Sequence, residues 1–454
     1  MHRQDALPVA GAGGAEAEDD RRVREDKGRL LTATERTEIV IAGAGFAGLS
    51  AAAALREAGR DVLVIEARDR VGGRVSSRLN GLGERYDSGG QFLCDDMVEV
   101  VALAKRFGKT FVTTPVEGEF VVQPPMSDDE AAATYRGSIA IRARQKALDP
   151  SDPAIAGLTV AAWLQRQSDA PAAKSAYRSM IEGLWCQALE RIPLWHLADN
   201  DRRITNEESE LQYFLRETMH SLAEDLARSL GPVIRLNTPL RTVEHRADGV
   251  RLAADGLTVE ARQAVVAMPL SRSARLRFEP ALPPELTRAL SVWDGGGVAK
   301  LKLRYATPFW RDAGLSGMVM WRDLHGLFAC DSSADDGHAA LTVFVGGPLG
   351  EAWLEQGEEA TTATVLEKLV AALGPRAADT VDIALDRWTG SEWDGGGYGD
   401  LILDVSARDA ETVLLAGHGP VHFASSDIAP TFPGYVEGAI AAGRAAAMRV
   451  LERG

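Results

Sequence analysis

Glu38-Ile39-Val40-Ile41-Ala42-Gly43-Ala44-Gly45-Phe46-Ala47-Gly48-Leu49 is the stretch on which the fold turns. Its first half, Glu38–Ile41, reads as an apolar strand running into a glycine-rich turn. An alanine-rich helix follows from about Phe46 to Ala58 and ends at Gly59. A second apolar strand, Asp61–Ile65, closes with Glu66. Gly43, Gly45 and Gly48 form a G-x-G-x-x-G pattern. The first glycine allows the tight turn, the second lets backbone approach a pyrophosphate, and the third lets helix and strand pack closely. Phe46 and Ala47 open the helix, whose free N–H groups and positive dipole end face the phosphates. Glu66 lies 18 residues after Gly48, where a carboxylate accepts hydrogen bonds from ribose hydroxyls. The glycines alone are a weak signal, and the competing reading is a glycine-rich turn without a ligand. The strand before, the helix after and the acid in place make the unit a dinucleotide site. They do not separate FAD from NAD.

Around this unit the chain runs to 454 residues, too long for one ordinary core, so two or three structural units are expected. A net charge of -15 disfavours nucleic acid and anionic membranes as partners, since both require a basic patch. It is compatible with a cationic substrate. No apolar run approaches the roughly 20 residues that cross a bilayer. Cys94, Cys186 and Cys330 are odd in number and widely spaced, which argues against a disulfide framework and a zinc site; they read as inert thiols, and no metal is expected. Residues 1–37 read as a disordered tail. Arg21-Arg22 is followed by Val23-Arg24-Glu25-Asp26-Lys27 rather than an apolar region, so the tail does not read as an export signal and a cytoplasmic protein is expected.

Further along, Ser151–Arg228 is mostly helical in pattern. Val233–Leu236, Leu240–Glu244, Val250–Ala253 and Ala264–Ala267 read as short strands. Lys300–Tyr305, Gly317–Met320, Gly326–Cys330 and Leu341–Val345 read as strands of another sheet. Ala360–Leu373 and Glu437–Leu451 read as helices, and Thr412–Ala416 and His422–Ala424 as short strands.

The run Glu66-Ala67-Arg68-Asp69-Arg70-Val71-Gly72-Gly73-Arg74 resembles the E-A-R-D-R-x-G-G-R run of the flavin-dependent amine oxidase family, the monoamine and polyamine oxidases and their bacterial relatives. Two glycines and an arginine suit a second close approach to a pyrophosphate with a fixed cation beside it. The resemblance implies FAD, with Glu66, Ala67 and Arg68 at the ribose and Gly73-Arg74 near the phosphates and flavin. It extends over nearly all of Glu38–Gly454. Tyr86-Asp87-Ser88-Gly89-Gly90-Gln91-Phe92 looks like the segment under the flavin ring. Thr238-Pro239-Leu240 looks like the strand that meets the adenine, with Leu240 where Val is usual. Ala424-Ser425-Ser426-Asp427 stands where A-G-x-E is usual, so Asp427 is a departure. Gly434-Tyr435-Val436-Glu437-Gly438-Ala439 matches the start of the family's last helix. The implied fold is α/β. A discontinuous Rossmann-type FAD-binding domain (38–112, 228–290 and 391–454) joins an α+β substrate-binding domain (113–227 and 291–390) with a mixed sheet and helices.

Three residues carry the expected chemistry by resemblance. Lys300 lies ten residues before Trp310 of Pro308-Phe309-Trp310, the spacing of the family lysine that holds a water at the flavin. Lys302 points to the same strand face, so a register two residues off stays open. Tyr398, ten residues after Trp388, and Tyr435 match two aromatics that flank the amine; the alternative is two core tyrosines. Gly397 stands where some members carry the cysteine linked to FAD, which implies non-covalent FAD.

The substrate follows from departures. Gln91-Phe92-Leu93 replaces the A-M-R of amino-acid oxidases, whose arginine meets a carboxylate. Cys94 replaces the glutamate by which some polyamine oxidases hold a distal ammonium. A bulky segment, Leu211 to Thr218, replaces a glycine-rich one, and Leu211, Tyr213 and Phe214 are candidates for the pocket wall with Gln91 and Cys94. Trp185, Trp195 and Trp353 stay undecided. The expectation is an enzyme that oxidises a monoamine with an apolar or aromatic body and passes electrons to O2, giving hydrogen peroxide. A polyamine oxidase, an amine dehydrogenase with another acceptor, a lipid or porphyrin desaturase and a non-catalytic flavin-binding interaction protein are the alternatives. A homodimer is a fair expectation.

Overall fold

The structure is a computed structural model that describes residues 33–334 and 337–453. Strand β1 (Ala33–Ala42), helix α1 (Phe46–Glu57) and strand β2 (Val62–Ile65) form the expected opening unit. The strand begins at Ala33 rather than Glu38, so Ala33–Thr37 belong to the fold and not to a tail. They pair in parallel with Leu257–Ala261 from a distant part of the chain, a partner no local pattern announces. Arg36 to Glu260 and Arg235 to Glu35 tie down this polar extension. The remainder of the expected tail, with Arg21-Arg22, lies outside the described residues.

Ile39–Ala42 and Val62–Ile65 are buried on both faces, as parallel strands covered by helices should be. They sit in an eight-stranded sheet assembled from three stretches of chain. β1 has β2 on one side and Leu257–Val266 on the other, both parallel. Val421–Phe423 then adds in parallel to Leu257–Val266. The last helix, Val436–Arg453, lies against α1. Both are alanine-rich for the same reason: a Cβ on Gly443 would lie 2.1 Å from the Ala47 carbonyl oxygen, so only small residues permit the crossing.

The second sheet has six strands in the order Thr380–Arg387, Val298–Tyr305, Ala340–Gly346, Leu327–Asp331, Leu315–Trp321 and Glu119–Gln123. One face buries Leu301, Val343, Ala329 and Val319 against Val365 and Leu369 of the helix Glu358–Leu373. The helices Asp128–Lys146, Pro171–Trp185 and Leu194–Arg203 add Ile141, Tyr177, Ile181 and Leu197 to the core of the first sheet.

Three readings are corrected. Ala410–Ala416 is a helix, not a strand: Ala410 and Leu414, one helical turn apart, are its buried residues, and Gly417 ends it at φ +69°. Tyr213–Leu215, inside the bulky Leu211 to Thr218 segment, is a strand between Phe92–Leu93 and Phe111–Thr113. The expected domain boundary at 227/228 falls inside the helix Met219–Ser229, whose Met219 N–H donates to Asp87 Oδ1 at 3.0 Å. Among the described residues no helix is long and apolar enough to cross a membrane.

Candidate active site

One cavity of about 640 Å³ runs from the glycine turn after β1 to the open face of the second sheet. At its first end Gly43 adopts φ +109°, and a Cβ there would lie 2.3 Å from the Ala267 carbonyl oxygen. No other residue fits. Gly45 meets the second turn at Gly72-Gly73, where a Cβ on Gly73 would lie 3.3 Å from Gly45 Cα. Two glycine turns thus touch backbone to backbone beside the cavity. Arg70 pegs the second turn by donating to the carbonyls of Val71, Gly73 and Val75. Gly48 does not line the cavity. A Cβ on it would lie 1.9 Å from the Gly43 oxygen, so its work is packing the helix onto the turn.

Phe46, Ala47, Glu66, Ala67, Arg68 and Leu240 line this end as expected. Glu66 accepts from the N–H groups of Ala44 (2.7 Å) and Arg68 (3.0 Å). Burial raises its pKa, and those N–H groups oppose the rise. Arg68 is held by Asp394 and by Ser391 Oγ.

Arg74 lines the cavity, but Asp427 does not. The carboxylate lies fully buried behind Arg74 and accepts from it twice, at 3.1 Å each. The Ser425 and Ser426 hydroxyls hold it there at 2.7 and 3.1 Å. The resemblance implies a cofactor-binding acid at Asp427; here it stands behind the cavity wall and fixes Arg74, the cation that faces the site. Val436 and Tyr435 line the cavity, whereas Glu437 turns away. Its carboxylate accepts from Glu99 and Val100 N–H at 2.9–3.0 Å and caps the start of the helix Val98–Arg106.

At the far end the second sheet sets the register. Lys300 pairs across the strands with Asp386 and Phe344, Phe344 with Phe328, and Phe328 with Met320. Directly paired residues share a face, so this row forms a single wall. Lys300, Phe344, Phe328 and Met320 all line the cavity. Lys302 does not; its ammonium donates to Ser332 O (3.2 Å) and Oγ (2.7 Å), so of the two lysines Lys300 is the one that faces the cavity. The Lys300 ammonium donates to Asp87 O (2.7 Å), Gly89 O (2.8 Å) and Gln91 Oε1 (2.9 Å). Burial depresses its pKa to about 8, against the pull of Asp87 and Asp386. Gly89, Gly90, Gln91 and Phe92 line the adjoining wall, and Trp388 Nε1 anchors that segment on Ser88 O at 2.8 Å.

Tyr398 and Tyr435 both line the cavity, and burial pushes both phenols well above their ordinary pKa. Tyr398 stands edge-on to Phe344 at 6.1 Å between centroids. Tyr435 OH lies 3.5 Å from Glu210 Oε1. Among the pocket candidates Leu211 lines the wall, but Cys94, Tyr213 and Phe214 do not. Cys94 is wholly buried, and burial raises its thiol pKa to about 11. Phe214 packs edge-on behind Phe92 at 6.3 Å, and Tyr213 turns out to Asp95 Oδ2 at 3.2 Å. Trp185 lines the cavity, whereas Trp195 donates to Val405 O and Trp353 packs against the second core. The sequence reading missed Phe344, Phe328 and Met320. Strand alternation marks them as same-face residues, but only cross-strand register puts them beside Lys300.

The family model described as flavin containing amine oxidoreductase matches residues 46–451, and one described as pyridine nucleotide-disulphide oxidoreductase matches residues 3–85. The putrescine oxidase of Kocuria rosea is 31% identical over an alignment of length 471, covering 93% of this chain and 96% of that one. A solved structure of wild-type putrescine oxidase bound to putrescine has a TM-score of 0.83 at 27% identity, covering 93% of this chain and 100% of that one. The cyclohexylamine oxidase of Brevibacterium oxydans IH-35A has a TM-score of 0.83 at 25% identity, covering 92% and 99%.

Proposed function

The chain belongs to the flavin containing amine oxidoreductase family, and from that premise we propose that it oxidises a primary or secondary monoamine with an apolar or aromatic body. The product is an imine that hydrolyses to an aldehyde or ketone, with O2 reduced to hydrogen peroxide. The observation that carries this reading is the wall of Phe344, Phe328, Met320 and Tyr398 beside the buried Lys300. FAD, bound along the glycine turns, would supply the acceptor for hydride from the carbon next to nitrogen. The chain's own task is to bind the amine neutral and oriented. Apolar walls disfavour a buried ammonium without a counter-ion. The acid in the wall's row, Asp386, is already engaged by Tyr86 (2.9 Å) and Arg78 (3.2 Å).

Glu210 favours a second reading, a diamine, because its carboxylate lines the cavity near Tyr435. One anaerobic experiment decides between them. Purified yellow protein is mixed with benzylamine, cyclohexylamine and putrescine. Faster bleaching by either monoamine supports the first reading; faster bleaching by putrescine supports the second; no bleaching by any of them sinks both. Peroxide formed on admitting air then distinguishes an oxidase from a dehydrogenase.

We also infer that the flavin is held without a covalent bond. A Cβ on Gly397 would lie 2.6 Å from Gly295 O, 2.7 Å from Cys186 Cβ and 3.0 Å from its sulfur. Gly397→Cys is therefore expected to be overpacked, by about 1–3 kcal/mol, and to release its colour on acid precipitation. Colour retained in the precipitate would show that the site accepts the linkage.

A further inference from the structure

Gln91 combines features that the roles above do not use. It is 7% exposed and lines the cavity next to Phe92. Its carboxamide oxygen accepts from the Lys300 ammonium at 2.9 Å. An ammonium has donors only, so it selects the oxygen end of the amide and excludes the flipped orientation. The NH2 end must then point the other way. Nε2 has no acceptor among the described residues, and it opens onto the cavity rather than into packed protein. Its surroundings are aromatic: Phe92 and Phe344 rings lie 6.3 Å apart, Phe344 and Tyr398 6.1 Å apart, and the Lys300 ammonium lies 5.7 Å from the Phe344 ring. A fixed donor in a largely apolar pocket stays unsatisfied unless the cofactor or the amine supplies an acceptor.

We propose that Gln91, oriented by Lys300, determines specificity by donating a hydrogen bond to an oxygen on the body of the amine. The preferred substrates are then arylalkyl or alicyclic amines that carry an ether, hydroxyl or carbonyl oxygen, rather than plain hydrocarbon amines. This deepens the monoamine reading and rests on it. Lys300 acts here as a positioning residue: its charge fixes which end of the carboxamide faces the ligand.

The test uses isosteric pairs on the FAD-loaded enzyme: ortho, meta and para methoxybenzylamine, each against the ethylbenzylamine of the same substitution. Binding is read from the perturbation of the flavin spectrum by the matching methoxy- and ethyltoluenes, which carry no amine to oxidise and no second oxygen. Turnover is read as kcat/KM for the amines. The wild type should prefer at least one methoxy compound over its ethyl isostere by about tenfold in both readouts. Gln91→Leu should bring that ratio to about one. Gln91→Glu keeps the volume and the Lys300 contact but offers an acceptor to the cavity, so it should abolish or invert the ratio. No preference in the wild type, or a preference that survives both substitutions, overturns the proposal. So does a change in FAD affinity with unaltered preference, which would mean that the amide faces the cofactor. Because the toluenes report binding without oxidation, a protein that oxidises no amine still shows or lacks the preference.

Discussion

Lys300→Met is expected to slow the return of yellow colour in oxygen by roughly a hundredfold or more, the scale of losing a preorganised charge in a dry site, while amine-driven bleaching slows far less. Stopped-flow mixing of the two half-reactions measures both rates; equal slowing would remove the assignment. The reasoning is electrostatic. Reducing oxygen develops negative charge, and the Lys300 ammonium is a cation fixed in the cavity wall by three acceptors. Met fills the space without the charge. It also releases the Gln91 carboxamide, so the expected oxygen preference among amines should relax in the same variant.

The pH profile gives that result a second signature. Burial holds the Lys300 pKa down near 8. The groups that face it are Asp87 and Asp386, which support the charge, the Cys330 thiol, and Lys302, itself depressed by burial to about 8. As pH rises through about 8 the ammonium is lost, so reoxidation should fall with that midpoint in the wild type and stay flat in Lys300→Met. Lys302→Met should keep the inflection, because Lys302 does not line the cavity. Unfolding does not mimic the effect. A lysine with a folded pKa near 8 and an ordinary value of 10.5 binds fewer protons folded than unfolded between those limits. Its contribution to stability therefore rises with pH across that window.

The phosphate end of the site was legible because its logic is local. Gly43, Gly45 and Glu66 sit within one strand–turn–helix–strand unit, and the conformations they permit are properties of those residues. The sheet end was only half legible. Lys300 and Phe344 are far apart in sequence, and nothing local says that they pair across adjacent strands. The same limit explains Ala33–Thr37, whose polar residues become strand only because Leu257–Ala261 lies beside them. Position along the chain puts Phe214 and Cys94 in the pocket. The short strand at Tyr213–Leu215 stacks Phe214 behind Phe92 instead. Asp427 reads from the sequence as a cofactor contact, since a sequence shows an acid near the flavin segment and not the arginine that reaches it from 353 residues away.

That pair sets the other large expectation: Arg74→Leu should purify nearly colourless and markedly destabilised. The Arg74 guanidinium is half-buried at the cavity edge. Burial opposes its charge, but Asp427 and Asp400 outweigh burial and hold its pKa above the ordinary value. Removing it strands the Asp427 carboxylate, whose side chain is fully shielded from solvent. Breaking a buried pair from one side costs about 3–5 kcal/mol, which a denaturant titration would read as a lower midpoint. Loss of colour has a separate cause, the missing cation beside the two glycine turns. The two effects come apart in the double variant Arg74→Leu/Asp427→Leu. With both charges replaced by apolar groups, much of the stability should return. The ratio of flavin to protein absorbance should not. If the double variant regains both stability and colour, Arg74 serves only to neutralise Asp427, and the cation facing the cofactor must be sought elsewhere in the cavity wall.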